Sequence, residues 1–406
     1  MAVNLSIFND FLPIDGLKIG IASAGIKKPG RKDVVVFELA DQATTAGVFT
    51  LNAFCAAPVT ISKQHLAKGQ PKYLIVNTGN ANAGTGPQGH TNAIDVCQAL
   101  ATATGATLEQ VLPFSTGVIG EPLPVEKIKT AIPAAIENLS ADNWYAASEG
   151  IMTTDTQPKG YSTEFEFEGK KIRISGISKG AGMIKPNMAT MLGYIATDAP
   201  IAADVLQKIC SEAAEKSFNR ITIDGDTSTN DSCMLMATGK ADVPLIDKAE
   251  GALYELVKAE LDKAFTILAH AIVRDGEGAT KFVTIDVSEC ENEQEALRIA
   301  YTVAHSPLVK TALFASDANW GRILAAVGRS GVKDMDLSKI FIYLDDVCIV
   351  EQGGRAASYT EQAGAAVMKQ AELSIRIKMG RGTAQETVWT TDLSHDYVTI
   401  NADYRS

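Results

Sequence analysis

Residues 185–199, KPNMATMLGYIATDA, set a small residue and then a hydroxyl, Ala189–Thr190, between a loop rich in glycine, lysine and proline and an apolar, strand-like run. A side-chain hydroxyl is a weak nucleophile and needs a base. An N-terminal threonine carries one. Its α-amine, with an ordinary pKa of roughly 7.7–8.0, is partly neutral at cellular pH and can take the proton from its own Oγ, directly or through one water. Inside a chain such a residue is made only by cutting the bond before it. Thr190 Oγ would attack the Ala189 carbonyl, an N→O acyl shift would give an ester, and water would hydrolyse it. A small residue at 189 leaves room for the tetrahedral intermediate. By pattern alone, however, an Ala-Thr pair at a strand start is far more often structural.

Other chemistries find less support. The five histidines (His65, His90, His270, His305, His395) lie far apart, without HExxH or HxH spacing, which argues against zinc. No GxSxG elbow or GxxxxGK[ST] loop occurs. The glycine-rich GNANAGTG (79–86) and KGAG (179–182) lack dinucleotide-binding spacing and read as turns. DGDTSTND (224–231) alternates oxygen ligands like a calcium loop. Its sixth and twelfth positions, however, hold Thr229 and Leu235 where glycine and glutamate are needed. It reads instead as a polar turn that supports a nearby site through Asx and Ser/Thr hydrogen bonds.

These residues must be carried by a sizeable fold. The 406 residues are 46% hydrophobic and 21% charged, a globular composition with room for two domains or one large α/β unit. A formal net charge of −11 and the lack of a basic stripe argue against nucleic acid. No run of 18 apolar residues predicts a membrane span. The acidic N-terminus lacks the basic start of a secretory signal. Six scattered cysteines without CxxC read as reduced thiols, and a cytoplasmic location is expected.

Strands are predicted at 33–40 and 73–79, and helices at 91–104 and at 125–139, the latter kinked or broken at Pro133. Residues 162–177 read as a hairpin turning at Glu168–Gly169. A strand follows Thr190, with helices at 203–218, 247–273, 292–304 and 319–328. Interleaved strands and helices, many strands hairpin-connected, predict an α/β (strictly α+β) fold of mixed sheets covered by helices.

The segment KGAGMIKPNMATMLGYIATDA closely resembles the self-cleavage motif of the ornithine acetyltransferase (glutamate N-acetyltransferase) family of arginine biosynthesis. The blocks VFTLNAFCAAPV (48–59), NTGNANAGTG (77–86), PFSTGVIG (113–120), ITIDGDTSTND (221–231), RDGEGATKF (274–282), SDANWGRI (316–323) and the terminal INADYRS resemble the family's in the same order, end to end. The resemblance implies cleavage between Ala189 and Thr190, giving an α chain (1–189) and a β chain (190–406) that stay associated and pair as a heterotetramer of two of each. It implies mixed sheets sandwiched between helices in an N-terminal-nucleophile-like fold, with a smaller C-terminal domain at approximately 285–385.

The same resemblance makes Thr190 the nucleophile and acetyl carrier, with Thr116 and Gly117 as the oxyanion hole. It assigns substrate binding to Thr153, Lys179, Thr190, Glu277, Asn401 and Ser406. A slip of one residue, to Thr154, stays open at the first of these. Glu277 either pairs with ornithine's δ-ammonium or tunes the Thr190 amine, and the sequence does not choose. The implied reaction is ping-pong transfer of acetyl from N-acetyl-L-ornithine to L-glutamate, without metal or organic cofactor. Some family members also accept acetyl-CoA, and that bifunctional reading is favoured here. The rivals are an N-terminal-nucleophile aminopeptidase or amidase, which hands the acyl group to water, and an uncleaved, non-catalytic binding homologue.

Overall fold

The computed structural model describes residues 2–185 and 191–403, so Ala189, Thr190 and Ser406 lie outside the described residues. The chain divides into two compact units, Ser6–Asn219 with Asp226–Ile272, and Met1–Leu5 with Arg220–Gly225 and Val273–Ser406.

The first unit contains β1 (Leu17–Ala22), β2 (Val34–Leu39), β3 (Thr44–Phe49), α1 (Ala57–Lys68), β4 (Tyr73–Asn80), α2 (Gly86–Thr104), β5 (Val111–Val118), α3 (Val125–Glu137), α4 (Trp144–Gly150), β6 (Lys159–Phe167), β7 (Lys170–Lys179), β8 (Leu192–Thr197), α5 (Ala203–Lys216), β9 (Ser232–Ala237) and α6 (Ala252–Arg274). They build two mixed sheets, ordered β1-β2-β4-β5 and β3-β9-β8-β7-β6. In the second sheet β8 runs parallel to β9 and antiparallel to β7, with Tyr194 opposite both Met234 and Ile177.

The run VVVFEL of β2 shows why the sheets stack. Successive side chains of a strand point to opposite faces. Val35, Phe37 and Leu39 join Ile177, Leu192, Tyr194 and Met234 in a core shared by the two sheets. Val34 and Val36 join Ile61, Val96, Leu100 and Ile132 of α1, α2 and α3 on the other side. Both faces are buried, so the strand reads as a continuous apolar run. Phe37 stacks on Tyr194 with ring centroids 4.9 Å apart, a contact that contributes about 0.5–1.5 kcal/mol beyond area burial. Beyond the second sheet, Gln207 of α5 donates to the Gly47 carbonyl (3.2 Å), and the Ser178 hydroxyl donates to the Leu268 carbonyl of α6 (3.2 Å). The layers run helix, sheet, sheet, helix, in agreement with the expected mixed sheets between helices.

The β6–β7 hairpin turns at Glu168 and Gly169, with φ of 49° and 75°, the pair of positive angles a tight two-residue turn requires. The expected kink or break at Pro133 does not interrupt α3, which runs through it. The proline is exposed, while Ile128, Ala131, Ile132 and Ala135 bury one face. That packing outweighs a penalty of about 3 kcal/mol for an interior proline.

The second unit contains β10 (Phe282–Cys290), α7 (Glu293–Ala304), α8 (Pro307–Phe314), α9 (Trp320–Gly328), β11 (Phe341–Leu344), β12 (Val347–Glu351), β13 (Gly354–Arg355), α10 (Glu361–Met368), β14 (Glu372–Lys378), β15 (Ala384–Thr391) and α11 (His395–Ala402). One sheet, ordered β13-β12-β11-β14-β10-β15, packs Val283, Ile285, Ile342, Ile375 and Ile377 against Ile299 and Val303 of α7. Asn292 caps α7 by accepting from the Glu295 N–H (2.9 Å), and Ser394 caps α11. Among the described residues no helix is long and apolar enough to cross a membrane, and no group of three or more His, Cys, Asp or Glu side chains is placed to hold a metal ion. All six cysteines are free.

Candidate active site

The candidate site begins at strand ends of the first unit. β5 pairs with β4 in parallel register until Gly79, where the ladder shifts opposite Gly117. Gly117 has φ of +135°, and a Cβ there would lie 2.3 Å from the Gly79 carbonyl carbon and 2.5 Å from the Asn80 nitrogen. Only glycine lets the backbone come this close. The bulge is tied down from outside the pair. The Ser115 hydroxyl donates to Asn77 Oδ1 (2.6 Å), and Asn230 Nδ2 donates to the carbonyls of Ala81 (2.6 Å) and Ser115 (2.9 Å). Asn230 is held in turn by its own N–H on the Ser228 hydroxyl (3.0 Å). This part of the 224–231 segment is the supporting polar turn its composition predicts.

Lys179 ends β7, opposite Leu192 at the start of β8. Its buried ammonium donates to Thr153 Oγ1 at 2.7 Å and to Thr116 Oγ1 at 3.4 Å. Both hydroxyls accept from one cation, so each keeps an O–H to donate to a ligand. Thr153, Thr116 and Lys179 therefore come together. Thr153, not Thr154, supplies the hydroxyl that Lys179 meets.

Two acids that the motif reading missed lie near this cluster, and the first of them holds it. Asp155 is buried, and each oxygen has its own donors. Oδ1 accepts from Lys159 Nζ (2.6 Å) and the Gly180 N–H (2.7 Å). Oδ2 accepts from the Thr153 N–H (2.9 Å) and lies 3.8 Å from Lys179 Nζ. Burial by itself would raise this carboxyl, but the Lys159 and Lys179 ammoniums and the hydrogen bonds from Lys159 and Thr153 hold it well below the usual range. Its partner Lys159 is buried too, at the start of β6. Asp231 Oδ1 accepts from the Met191 N–H (2.8 Å), the residue after Thr190, while Oδ2 has no hydrogen-bond partner among the described residues. Burial pushes this carboxyl well above 3.8, against the pull of the Met191 N–H, the Ser228 hydroxyl and Lys179. The sequence offered slim signals: Asp155 stands two residues after Thr153, and Asp231 closes the TSTND block.

In the second unit Glu277 and Asn401 meet, with Asn401 Nδ2 donating to Glu277 Oε2 (2.8 Å) and to the Tyr397 carbonyl (3.0 Å). Gly278 has φ of +68°, and a Cβ there would lie 2.5 Å from Ser394 Oγ and 2.6 Å from the Tyr397 nitrogen. The RDGEG loop thus lies flush on the N-terminus of α11, in which Asn401 follows six residues after the first, His395.

A family model described as the ArgJ family matches residues 18–406. The chain is 61% identical over 406 residues to the arginine biosynthesis bifunctional protein ArgJ of Pseudomonas syringae pv. tomato, with all of both chains covered. It is 56% identical over 407 residues to the protein of that name from Psychrobacter arcticus, again over the whole of both chains. Among solved structures, arginine biosynthesis bifunctional protein argJ from Bacillus halodurans matches with a TM-score of 0.50 and 38% identity, covering 52% of this chain and 99% of that one.

Proposed function

This chain belongs to the ArgJ family, and on that premise we propose that it transfers the acetyl group of N-acetyl-L-ornithine to L-glutamate in arginine biosynthesis, with acetyl-CoA as a second donor. The observation that carries the reading is the meeting of Thr116, Thr153 and Lys179 beside β8, whose first residue Leu192 pairs with Lys179. Leu192 lies two residues after Thr190.

Maturation comes first. Thr190 Oγ adds to the Ala189 carbonyl, the C–N bond breaks as the amine of Thr190 takes a proton, and water then hydrolyses the Ala189 ester. In turnover, Oγ gives its proton to the freed α-amine and adds to the acetyl carbonyl. The Thr116 O–H and Gly117 N–H stabilise the oxyanion, each such donor being worth about 2.7–4 kcal/mol in the transition state. The C–N bond of acetylornithine breaks, the ammonium of Thr190 returns its proton to the leaving amine, and an acetyl-threonine remains. The amine of glutamate attacks this ester by the reverse sequence and regenerates Thr190. Lys179 and Thr153 bind the α-carboxylate common to both substrates, and Glu277, with Asn401 and Ser406, serves the substrate's other end. The two fragments remain associated, and two such pairs form the working assembly.

Intact mass under denaturing conditions, beside a Thr190→Ala variant, tests the first step. Two fragments separating between Ala189 and Thr190, in the parent only, are expected. Acetyl-labelled ornithine should then leave one acetyl group on the β fragment in the absence of glutamate. A single uncut chain in both proteins, with no transfer, overturns the reading.

A further inference from the structure

We propose that Lys159 is a positioning residue for this site: by occupying Asp155 it keeps the Lys179 ammonium on the Thr153 and Thr116 hydroxyls. The proposal rests on the acetyl-transfer reading above.

Two lysines approach one buried carboxylate, and they do so unequally. Lys159 Nζ is 2.6 Å from Asp155 Oδ1, whereas Lys179 Nζ stands 3.8 Å from Oδ2. The side chains of Lys159 and Asp155 are wholly inaccessible, at 0% each. A buried ammonium parted from its carboxylate is strongly unfavourable, so Lys159 is anchored. Asp155 is also filled by the N–H groups of Thr153 and Gly180. Lys179 therefore makes its short contact elsewhere, with Thr153 Oγ1 at 2.7 Å.

This arrangement has a chemical consequence. A lysine collapsed onto Asp155 would direct its N–H donors at that carboxylate and turn from the two hydroxyls. Held off by Lys159, Lys179 keeps its N–H donors on Thr153, where a substrate carboxylate is to bind, and on Thr116, whose O–H is to meet the oxyanion. Hydrogen bonds in such a chain strengthen one another. Lys159 touches neither substrate nor reacting atoms and acts through Asp155.

Removing Lys159 alone should let Lys179, on its flexible four-carbon stem, close the gap to Asp155. In Lys159→Met we expect KM for acetylornithine to rise about tenfold and kcat to fall by a similar factor. The double variant Lys159→Met/Asp155→Asn removes the carboxylate that captures Lys179, and should recover much of the lost kcat/KM. Buried pairs replaced together are often tolerated where single removals are not. A purely structural role also predicts recovery in the double variant, because the unpaired buried carboxylate is gone, so thermal melting is read beside the kinetics. A loss of kcat/KM that only follows loss of folded protein overturns the proposal, and a loss that persists in the fully folded single variant supports it. Lys159→Gln, which retains a donor without charge, stands in if the methionine variant does not fold, with the same direction expected.

Unchanged KM and kcat in the folded single variant, or a double variant as impaired as the single, overturns the proposal. Wild type and Thr190→Ala are assayed alongside. Absence of Thr190-dependent transfer in wild type would overturn the acetyl-transfer reading instead.

Discussion

Replacing Gly117 by alanine tests the proposed oxyanion hole at its most constrained point. A Cβ at 117 would stand 2.3 Å from the Gly79 carbonyl carbon, where ordinary contact begins at 3.4 Å. The obstacle is backbone, so β4 and β5 must part by about 1 Å at the bulge, a displacement on the scale that removes a catalytic contact. Losing one oxyanion donor lowers the rate by about 10²–10³-fold, or roughly 2.7–4 kcal/mol. The left-handed φ of +135° adds about 1–3 kcal/mol of strain to the native state, within the roughly 5–15 kcal/mol a folded domain has in reserve. The assay is transfer of labelled acetyl from acetylornithine to glutamate, with thermal melting to confirm the fold and intact mass to follow maturation, whose tetrahedral intermediate is proposed to meet the same donors. Self-cleavage should slow together with turnover. A folded Gly117→Ala enzyme with kcat/KM within about threefold of the parent would refute the assignment of the Gly117 N–H.

Three further outcomes are expected. Glu277→Gln should raise KM for acetylornithine about tenfold, near 1.4 kcal/mol, and that for glutamate by less than about twofold; equal changes would deny Glu277 the δ-ammonium and favour a role in tuning the nucleophile. The native state holds Asp231 with its carboxyl above 3.8, so it retains a proton that the unfolded chain releases. Its contribution to stability then falls as pH climbs from about 4 through the raised value. In the uncut Thr190→Ala background, urea melts at about pH 5 and about pH 8 should show that fall reduced by Asp231→Asn, and identical slopes would contradict it. Lys310 shows the opposite slope. Its buried ammonium donates to Thr390 Oγ1 (3.0 Å) and to the Thr391 carbonyl, and burial pushes its pKa down from 10.5 to about 8, against Asp392 and Asp224. The unfolded chain binds the extra proton between those values, so stability should rise there by on the order of 3 kcal/mol, and Lys310→Met should abolish the rise between urea melts at about pH 8 and about pH 10.5.

Much of the framework was legible where burial left one kind of mark. β2 and β4 read as apolar runs because both their faces are covered. The β6–β7 hairpin declared its turn in Glu168–Gly169. α1 escaped notice, since its sequence APVTISKQHLAK buries Ser62 and His65 along with Val59 and Ile61. α8 and α10 are only eight residues each, too short for periodicity to speak, although Ser306–Pro307 marks the start of the first. At the site, the hydroxyls and Lys179 could be named by family resemblance, because they lie in blocks with fixed neighbours. Asp155 and Lys159 could not. An aspartate and a lysine four apart look like any solvated pair, and only the fold, which brings the start of β6 against the loop after α4, takes both out of water. Thr190 was legible as chemistry while its placement lies outside the described residues.

The order of strands in the second sheet bears on what kind of object a cut enzyme is. β3 and β7 precede the Ala189–Thr190 bond, β8 and β9 follow it, and the ladders join β3 to β9 and β7 to β8. Once that bond is cut as proposed, two adjacent strands of one polypeptide, β9 and β8, lie between strands of the other in one sheet, and covalent connection no longer brings them together. Unfolding then turns a search within one molecule into an encounter between two, so recovery depends on dilution. Persistence is set by the rate of coming apart rather than by a balance of populations. The precursor carries the assembly instructions, whereas the cut enzyme preserves only their result.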